Sequence, residues 1–472
     1  MSDHSHDDVP VQDPPEVWRP ARAAARALVR PVERFLQVQA ASGLLLLAAA
    51  LIAMVWANSP WHESYEHLWH TPIGFSIGHF EFSHSLHFWI NDGLMVAFFF
   101  VVGMEIRREI HSGELSNLKR AALPIAAAVG GMLVPALIYW GFNVNHPEVL
   151  GGWGTPMATD IAFAVGILAL IGNRVPAALR ILLLALAVID DMGAILIIAV
   201  FYSGSISWIG LAVAAGGMLG ITLFQRVGLR SPLLYVVPAF AVWEGMLQAG
   251  IHPTIAGVIV GLMTPVRSWF GEEGFLHAAE RALFRFKESR GADDQHDLLH
   301  PLEDLERAQR EALPPVVRLE HKLNPWVSYG VMPLFALANA GVPLGDVSLE
   351  GAAATSLALG VGVGLALGKP AGVLLLSWIS KQLGLVEMPR GVDFKGLLVV
   401  GLVAGIGFTM ALFIANLAFT NPEHLGIAKL AVLTGSLVAG VLGLAVGIVV
   451  LPREQTVSVA QAPPPAEGSA EV

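Results

Sequence analysis

Apolar residues run in long stretches along this chain, separated by short polar loops, at roughly 42–57, 88–106, 121–141, 155–171, 178–202, 206–224, 231–249, 252–265, 327–342, 353–380, 394–417 and 425–451. A span of about 20 apolar residues matches the hydrocarbon thickness of a bilayer, and a water-soluble core cannot bury so many of them. The pattern predicts an all-α polytopic membrane protein with about 12 transmembrane helices. The run at 252–265 is short for a bilayer, so the 231–265 hairpin is the least defined part. Gly43–Ala57 has the length of a signal-peptide core, but Trp56-Ala57-Asn58-Ser59-Pro60 is a poor cleavage site, and the run is read as the first span.

The polar stretches divide the rest of the chain. Ile77–Phe88 alternates apolar and polar residues at period two, which predicts a small external β-hairpin. Residues 33–265 hold spans one to eight and 327–451 spans nine to twelve. Between them, 266–326 is a cytoplasmic insert in which Phe275–Phe286 and Leu302–Leu319 show helical spacing and predict a solvated helical hairpin. The tails, 1–32 and 452–472, have the composition of disordered segments, and His4, His6, Asp7 and Asp8 are read as solvated rather than as a metal site.

Composition agrees with the pattern. Of 472 residues, 54% are apolar and 14% charged, against about 25% charged in ordinary soluble domains. The absence of cysteine excludes disulfides, zinc–thiolate sites and thiol nucleophiles. A net charge of −10 leaves no basic face for nucleic acid.

Lysine and arginine are distributed by side. The segment before the first span carries five and the next loop none; loops 107–120, 172–180, 225–230, 266–326 and 381–395 carry four, two, two, nine and three, with the intervening loops empty. Cytoplasmic loops carry such an excess, so both termini are expected in the cytoplasm. Two basic residues, Lys369 and Lys429, lie instead within spans.

Four charges sit where a membrane helix should have none: Asp160, the pair Asp190 and Asp191, and Lys369. Each costs about 2.5–3.5 kcal/mol at a helix centre on insertion scales. Such residues normally face a cavity, pair with one another and mark an ion or proton path. Carboxylate oxygens suit hard cations, so a proton and a sodium ion could compete for the same atoms. A static ion pair locking helices together is the alternative, but three acids against one base leave charge that packing does not need. Gly362–Pro370 lacks the spacing and the Ser/Thr of a nucleotide loop, so transport is expected to be secondary, with no cofactor and no enzymatic step.

Spans 3–5 and 10–12 each place a Gly/Pro-interrupted helix in the middle, around Gly151–Ala164 and Gly401–Thr409. The units are seven spans apart and must insert in opposite orientations, the inverted-repeat arrangement of many transporters, with interrupted helices in spans 4 and 11. If those helices cross, Asp160 could compensate their positive ends and Lys369 their negative ones.

Pro156-Met-Ala-Thr-Asp-Ile-Ala-Phe-Ala, Val188-Ile-Asp-Asp, His252-Pro-Thr-Ile-Ala-Gly-Val-Ile-Val-Gly, Pro333-Leu-Phe-Ala-Leu-Ala-Asn-Ala-Gly, Gly368-Lys-Pro and Gly405-Ile-Gly-Phe-Thr-Met resemble, in order, the motifs of the NhaA-type sodium/proton antiporters. The likeness runs from about residue 33 to 450. It implies that Asp190 and Asp191 take the transported Na+ or Li+ and the proton, with Thr159 and Asp160 nearby and Lys369 pairing with Asp190. It implies electrogenic, alkaline-activated exchange, sodium out against protons in, by alternating access in the bacterial inner membrane, serving pH homeostasis. It further implies a homodimer formed partly through the hairpin near residues 72–88. A pH-responsive cluster would map onto Glu105, Arg108, Glu109 and Glu320, and His252 also matches a family position; ordinary interfacial charge at helix ends, and a capping or solvated histidine, are the plainer readings.

The long 266–326 insert and the extension before residue 33 depart from the family pattern. An intramembrane aspartyl protease would need its aspartates on separate helices in a Gly-x-Gly-Asp setting, which is absent. A sodium- or proton-coupled carrier of a small organic solute is the alternative reading.

Overall fold

The computed structural model describes residues 41–452, apart from 78–79, 230, 269, 289–295, 346, 349 and 390. The expected tails, with His4 and His6, lie outside the described residues except for Pro452. The chain is built almost wholly of helices: α1 Ala41–Ala57, α2 His62–His70, α3 Leu86–Ser112, α4 Leu118–Asn143, α5 Ile161–Ile171, α6 Ala177–Phe201, α7 Trp208–Val227, α8 Val236–Gln248 and α9 Thr254–Met263. After these come α10 Gly271–Glu288, α11 His296–Ala312, α12 Pro315–Trp326, α13 Met332–Asn339, α14 Ala352–Gln382, α15 Phe394–Ala404, α16 Phe408–Ala418 and α17 Pro422–Val450. Six of them (α3, α4, α6, α7, α14 and α17) are long and apolar enough to cross a membrane, and up to nine spans result if bent pairs count as one.

Two of the bent pairs are the interrupted helices. The 3-10 segment Gly151–Met157 leads into α5 at an angle of 48°, and α15 leads into α16 at 50°. Glycine and proline weaken the backbone ladder in Gly151-Gly-Trp-Gly-Thr-Pro156, and glycines alone do so in Gly405-Ile-Gly407.

The hairpin differs from its expected position. It pairs β1 Pro72–Ile77 with β2 Phe80–Ser85, Pro72 opposite Ser85, rather than spanning Ile77–Phe88. Ser85 Oγ accepts from Phe88 N at 3.2 Å and starts α3 at Leu86, so the last three residues belong to a helix. The helix expected over Leu302–Leu319 is likewise divided. α11 ends at Ala312 and α12 begins at Pro315, because consecutive prolines at 314 and 315 offer no N–H to a continuing ladder. From α12 the chain runs through a π-helical turn, Val327–Val331, directly into α13.

The helices pack as two groups. One holds α4, the interrupted pairs Gly151–Met157/α5 and α15/α16, α6, α14 and α17; the other holds α1, α3, α7, α8, α9 and α13. Within the first, α4 crosses α14 at Gly130 and Gly372, where a Cβ added to either would lie 2.0–2.1 Å from the other's carbonyl oxygen. Small residues permit that close approach of backbones. The groups meet where α1 packs on α5, α3 on α6 and α13 on α16. The end bearing the hairpin and α2 is called the hairpin face below, and the end bearing α10–α12 the insert face.

Candidate functional site

The two helix breaks cross inside the first group. Asp160 caps α5, its Oδ1 accepting from Phe163 N at 3.0 Å, while its Oδ2 accepts from Thr409 N at 3.2 Å and from the Thr409 hydroxyl in the first turn of α16. Each helix N-terminus carries roughly half a positive charge, so this one carboxylate balances both. The strands of the crossing are tied directly as well, with Asp160 N donating to Ile406 O at 2.7 Å. At the opposing C-terminal ends, Lys369 Nζ donates to Met157 O, and the Thr159 hydroxyl lies 3.0 Å from Ala404 O. Lys369 thus meets one negative end, and Thr159 meets the other.

The aspartate pair enters from α6. Asp190 Oδ2 is 2.8 Å from Lys369 Nζ and 2.7 Å from the Thr159 hydroxyl, and all three residues are buried. Asp190 Oδ1 is buried with no hydrogen-bond partner. Asp191, 2% exposed, accepts no hydrogen bond from the described residues. In formal charge, Lys369 cancels Asp190 and the two helix ends absorb Asp160. Asp191 alone is left without a counter-charge. Its oxygens and the free Asp190 Oδ1 are the carboxylate oxygens here without a hydrogen-bond partner, and oxygen donors suit a hard cation or a proton. No group of three His, Cys, Asp or Glu side chains placed to hold a resident metal occurs among the described residues.

The expected pH-responsive residues do not assemble as one group. Arg108 Nη1 lies 2.7 Å from Glu320 Oε1, Arg108 Nη2 lies 3.4 Å from Glu109 Oε1, and Glu109 Oε2 accepts from Glu114 N at 3.1 Å. Glu105, one turn before Glu109, is within electrostatic reach of both Glu320 and Asp191. Burial pushes the Glu320 carboxyl above the ordinary glutamate range, Arg108 pulls it back, and Glu109 adds to the rise. His252 stands apart, at the hairpin-face end of α9. α3 and α9 run side by side in the same direction, Val96 beside Gly257 and Phe100 beside Gly261. His252 therefore sits beside Asp92 (Nε2 to Oδ1 3.2 Å), 13 residues before Glu105 on α3, which is about 20 Å along a helix. Its Nδ1 is 2.7 Å from the Thr254 hydroxyl.

Several residues at the crossing escape a reading based on charge. Thr409 lies within a quoted motif, yet only the crossing shows that its hydroxyl serves Asp160. Ser436 Oγ accepts from Phe408 N at 3.0 Å, which supports the break where Phe408 takes a positive φ of 21°. Towards the hairpin face, Asn339 Oδ1 accepts from Asn416 Nδ2 at 2.8 Å, from Asn91 Nδ2 at 3.3 Å and pairs with His87 Nε2 at 3.2 Å. Beside this cluster, Phe413 of α16 packs on Phe99 at 5.3 Å and Phe335 at 6.1 Å. Amides and rings thus join the two helix groups on that side of the carboxylates.

Comparison with known proteins gives a consistent set. The model of the family described as Na+/H+ antiporter 1 matches residues 33–446. A Sorangium cellulosum protein named Na(+)/H(+) antiporter NhaA 2 is 60% identical over 97% of this chain and 98% of its own length. Proteins of the same name from Myxococcus xanthus and Pseudomonas putida are 56% and 52% identical, each over 92% of this chain and over 92% and 96% of their own lengths.

Proposed function

The chain belongs to the Na+/H+ antiporter 1 family, and from that premise we propose that it is a secondary active, electrogenic antiporter exchanging Na+ or Li+ for H+ across a bacterial inner membrane. The observation that carries this reading is the uncompensated Asp191 beside the free Asp190 Oδ1. With Asp190 neutralised by Lys369 at 2.8 Å, a single positive charge, proton or alkali cation, makes the site neutral. Either ion suffices and both together are one too many, so they displace each other. Arrival of Na+ at Asp191 and Asp190 also loosens the Lys369 ion pair and frees Lys369 to give up its proton, and this proton, beyond the one displaced from Asp191, makes the exchange electrogenic. Asp160 holds the N-terminal ends of both interrupted helices, and Thr159 keeps the Asp190 oxygen oriented.

The same premise supports twelve spans with inverted repeats around the two interrupted helices, alternating access, and a homodimer through the hairpin near residues 72–88. The insert face is cytoplasmic, in keeping with the basic residues concentrated in that half of the loops. Glu105, Arg108, Glu109 and Glu320 there answer to pH, and His252 acts from the opposite face. The relatives' names favour cation exchange over the carrier of organic solutes.

The test is cation-driven proton movement in everted vesicles from a host lacking its own antiporters. Wild type collapses a respiratory pH gradient on addition of Na+ or Li+, increasingly towards alkaline pH. Asp191→Asn, folded and present in the membrane, leaves the gradient intact. Normal exchange by that variant would overturn the assignment.

A further inference from the structure

At the hairpin face the two helix groups part around a cavity of about 570 Å³, lined among others by Tyr65, Trp69, His87, Asn416, Glu423 and Lys429. Clefts of roughly 300–1,000 Å³ are the size that holds small ligands. The cavity lies above the Asn339 amide cluster, so it is separate from the carboxylates of α6.

Its polar lining is one-sided. Lys429, on the second turn of α17, is one of only two basic residues inside the apolar spans, and the other, Lys369, has Asp190. Lys429 is half-buried and makes no ion pair or hydrogen bond with any described residue. The two lining carboxylates, Glu66 and Glu423, are exposed to solvent and make no ion pair with it. The indole N–H of Trp69, 5% exposed, has the Tyr65 hydroxyl beside it as its acceptor. His87 is already engaged, its Nε2 with Asn339 and its Nδ1 facing Asn91. Lys429 is therefore an unpaired cation in a cavity that His62 and His70 also line and whose apolar wall includes Val347 and Leu425.

We propose that this cavity is a binding site for a small anionic group, a carboxylate or a phosphate, held by the Lys429 ammonium. The group arrives either as a free anion or as the head group of a phospholipid whose chains lie along the apolar wall. The site is independent of cation exchange, since it uses none of the residues assigned to it.

Binding is measured on the full chain in nanodiscs of phosphatidylcholine alone, by calorimetric titration with sodium phosphate, sodium acetate and short-chain phosphatidylglycerol, against matched sodium chloride. Wild type binds at least one probe saturably. A charge-assisted hydrogen bond is worth about 1.5–3 kcal/mol, so Lys429→Gln weakens that probe by about tenfold or more, while Lys429→Arg retains it within a few-fold. Binding of phosphate or acetate identifies a free anion as occupant; binding of phosphatidylglycerol alone identifies a lipid. No saturable binding of any probe by wild type overturns the proposal. So does equal binding by Lys429→Gln, with thermal unfolding in the absence of probe showing that both variants are folded.

Discussion

Lys369→Met removes one buried charge from a group of four and should make the stability of the whole protein depend on pH in a way the wild type does not. In the wild type, Lys369 Nζ sits 2.8 Å from Asp190 Oδ2, with both side chains fully buried. Deleting one member of a buried pair costs about 3–5 kcal/mol when the other stays charged. Asp190 can escape by taking a proton. Holding a carboxyl neutral costs about 1.4 kcal/mol for each pH unit above its free value near 4, so about 1.4 kcal/mol at pH 5 and about 5.5 kcal/mol at pH 8. The variant therefore takes the cheaper route at each pH. Its deficit relative to wild type is about 1–2 kcal/mol at pH 5 and about 3–5 kcal/mol at pH 8. Unfolding of the purified proteins in detergent at the two pH values, read as melting temperature, should show the gap between variant and wild type widening towards pH 8. Equal gaps at pH 5 and 8 would mean that Asp190 does not depend on Lys369 for its charge. The proposed neutrality rule would then fail.

Thr409→Val removes the hydroxyl that donates to Asp160 and should cost about 1.5–3 kcal/mol, with Thr409→Ser close to wild type; equal melting of the two variants would refute this. Gly372→Ala places a methyl 2.0 Å from the Gly130 carbonyl oxygen and should lower the melting temperature sharply or prevent accumulation, whereas Gly141→Ala, with nothing within 4 Å, should not. Glu320 has its carboxyl raised above the ordinary range, chiefly by burial. Its contribution to stability is therefore fully present at acid pH and is lost as pH rises through the raised value. Glu320→Gln should flatten the fall in melting temperature from about pH 4 upward, and an unchanged slope would show that another group titrates there.

The carboxylates and Lys369 were legible because a charge inside an apolar run is costly unless something compensates it, as Lys369 does for Asp190. The breaks were legible through their glycines and prolines. The pairing of Asp160 with both helix N-termini followed from polarity alone once the helices cross. What sequence did not reveal depends on three-dimensional neighbours with no charge to betray them. The Thr409 and Ser436 hydroxyls look like ordinary span residues until the crossing brings them to a backbone N–H or a carboxylate. The charge distribution already placed His252 at an external turn, away from Glu105, but its neighbour Asp92 emerged only from the shared direction of α3 and α9. The hairpin moved because Ser85 starts a helix, and a hydroxyl in an alternating segment gives no sign of whether it caps or pairs.

The glycine contacts differ between seams, and that difference sets where the molecule can shear. α3 against α9 is interlocked, because a Cβ on Gly257 would lie 2.3 Å from Val96 O and one on Gly261 would lie 2.5 Å from Phe100 O. α7 against α8 is equally tight at Gly210 and Gly245, where the nearest backbone atoms stand 2.3–2.4 Å from an added Cβ. Backbones notched into each other at that spacing cannot slide by a fraction of a turn without collision. Between the two groups the contact is of another kind. A Cβ on Gly43 of α1 would stand 3.5–3.8 Å from the nearest atoms of α5, ordinary van der Waals distance. The tight notches thus lie within each group and the smooth surface between them, which makes each group a rigid block and their common boundary the fault line.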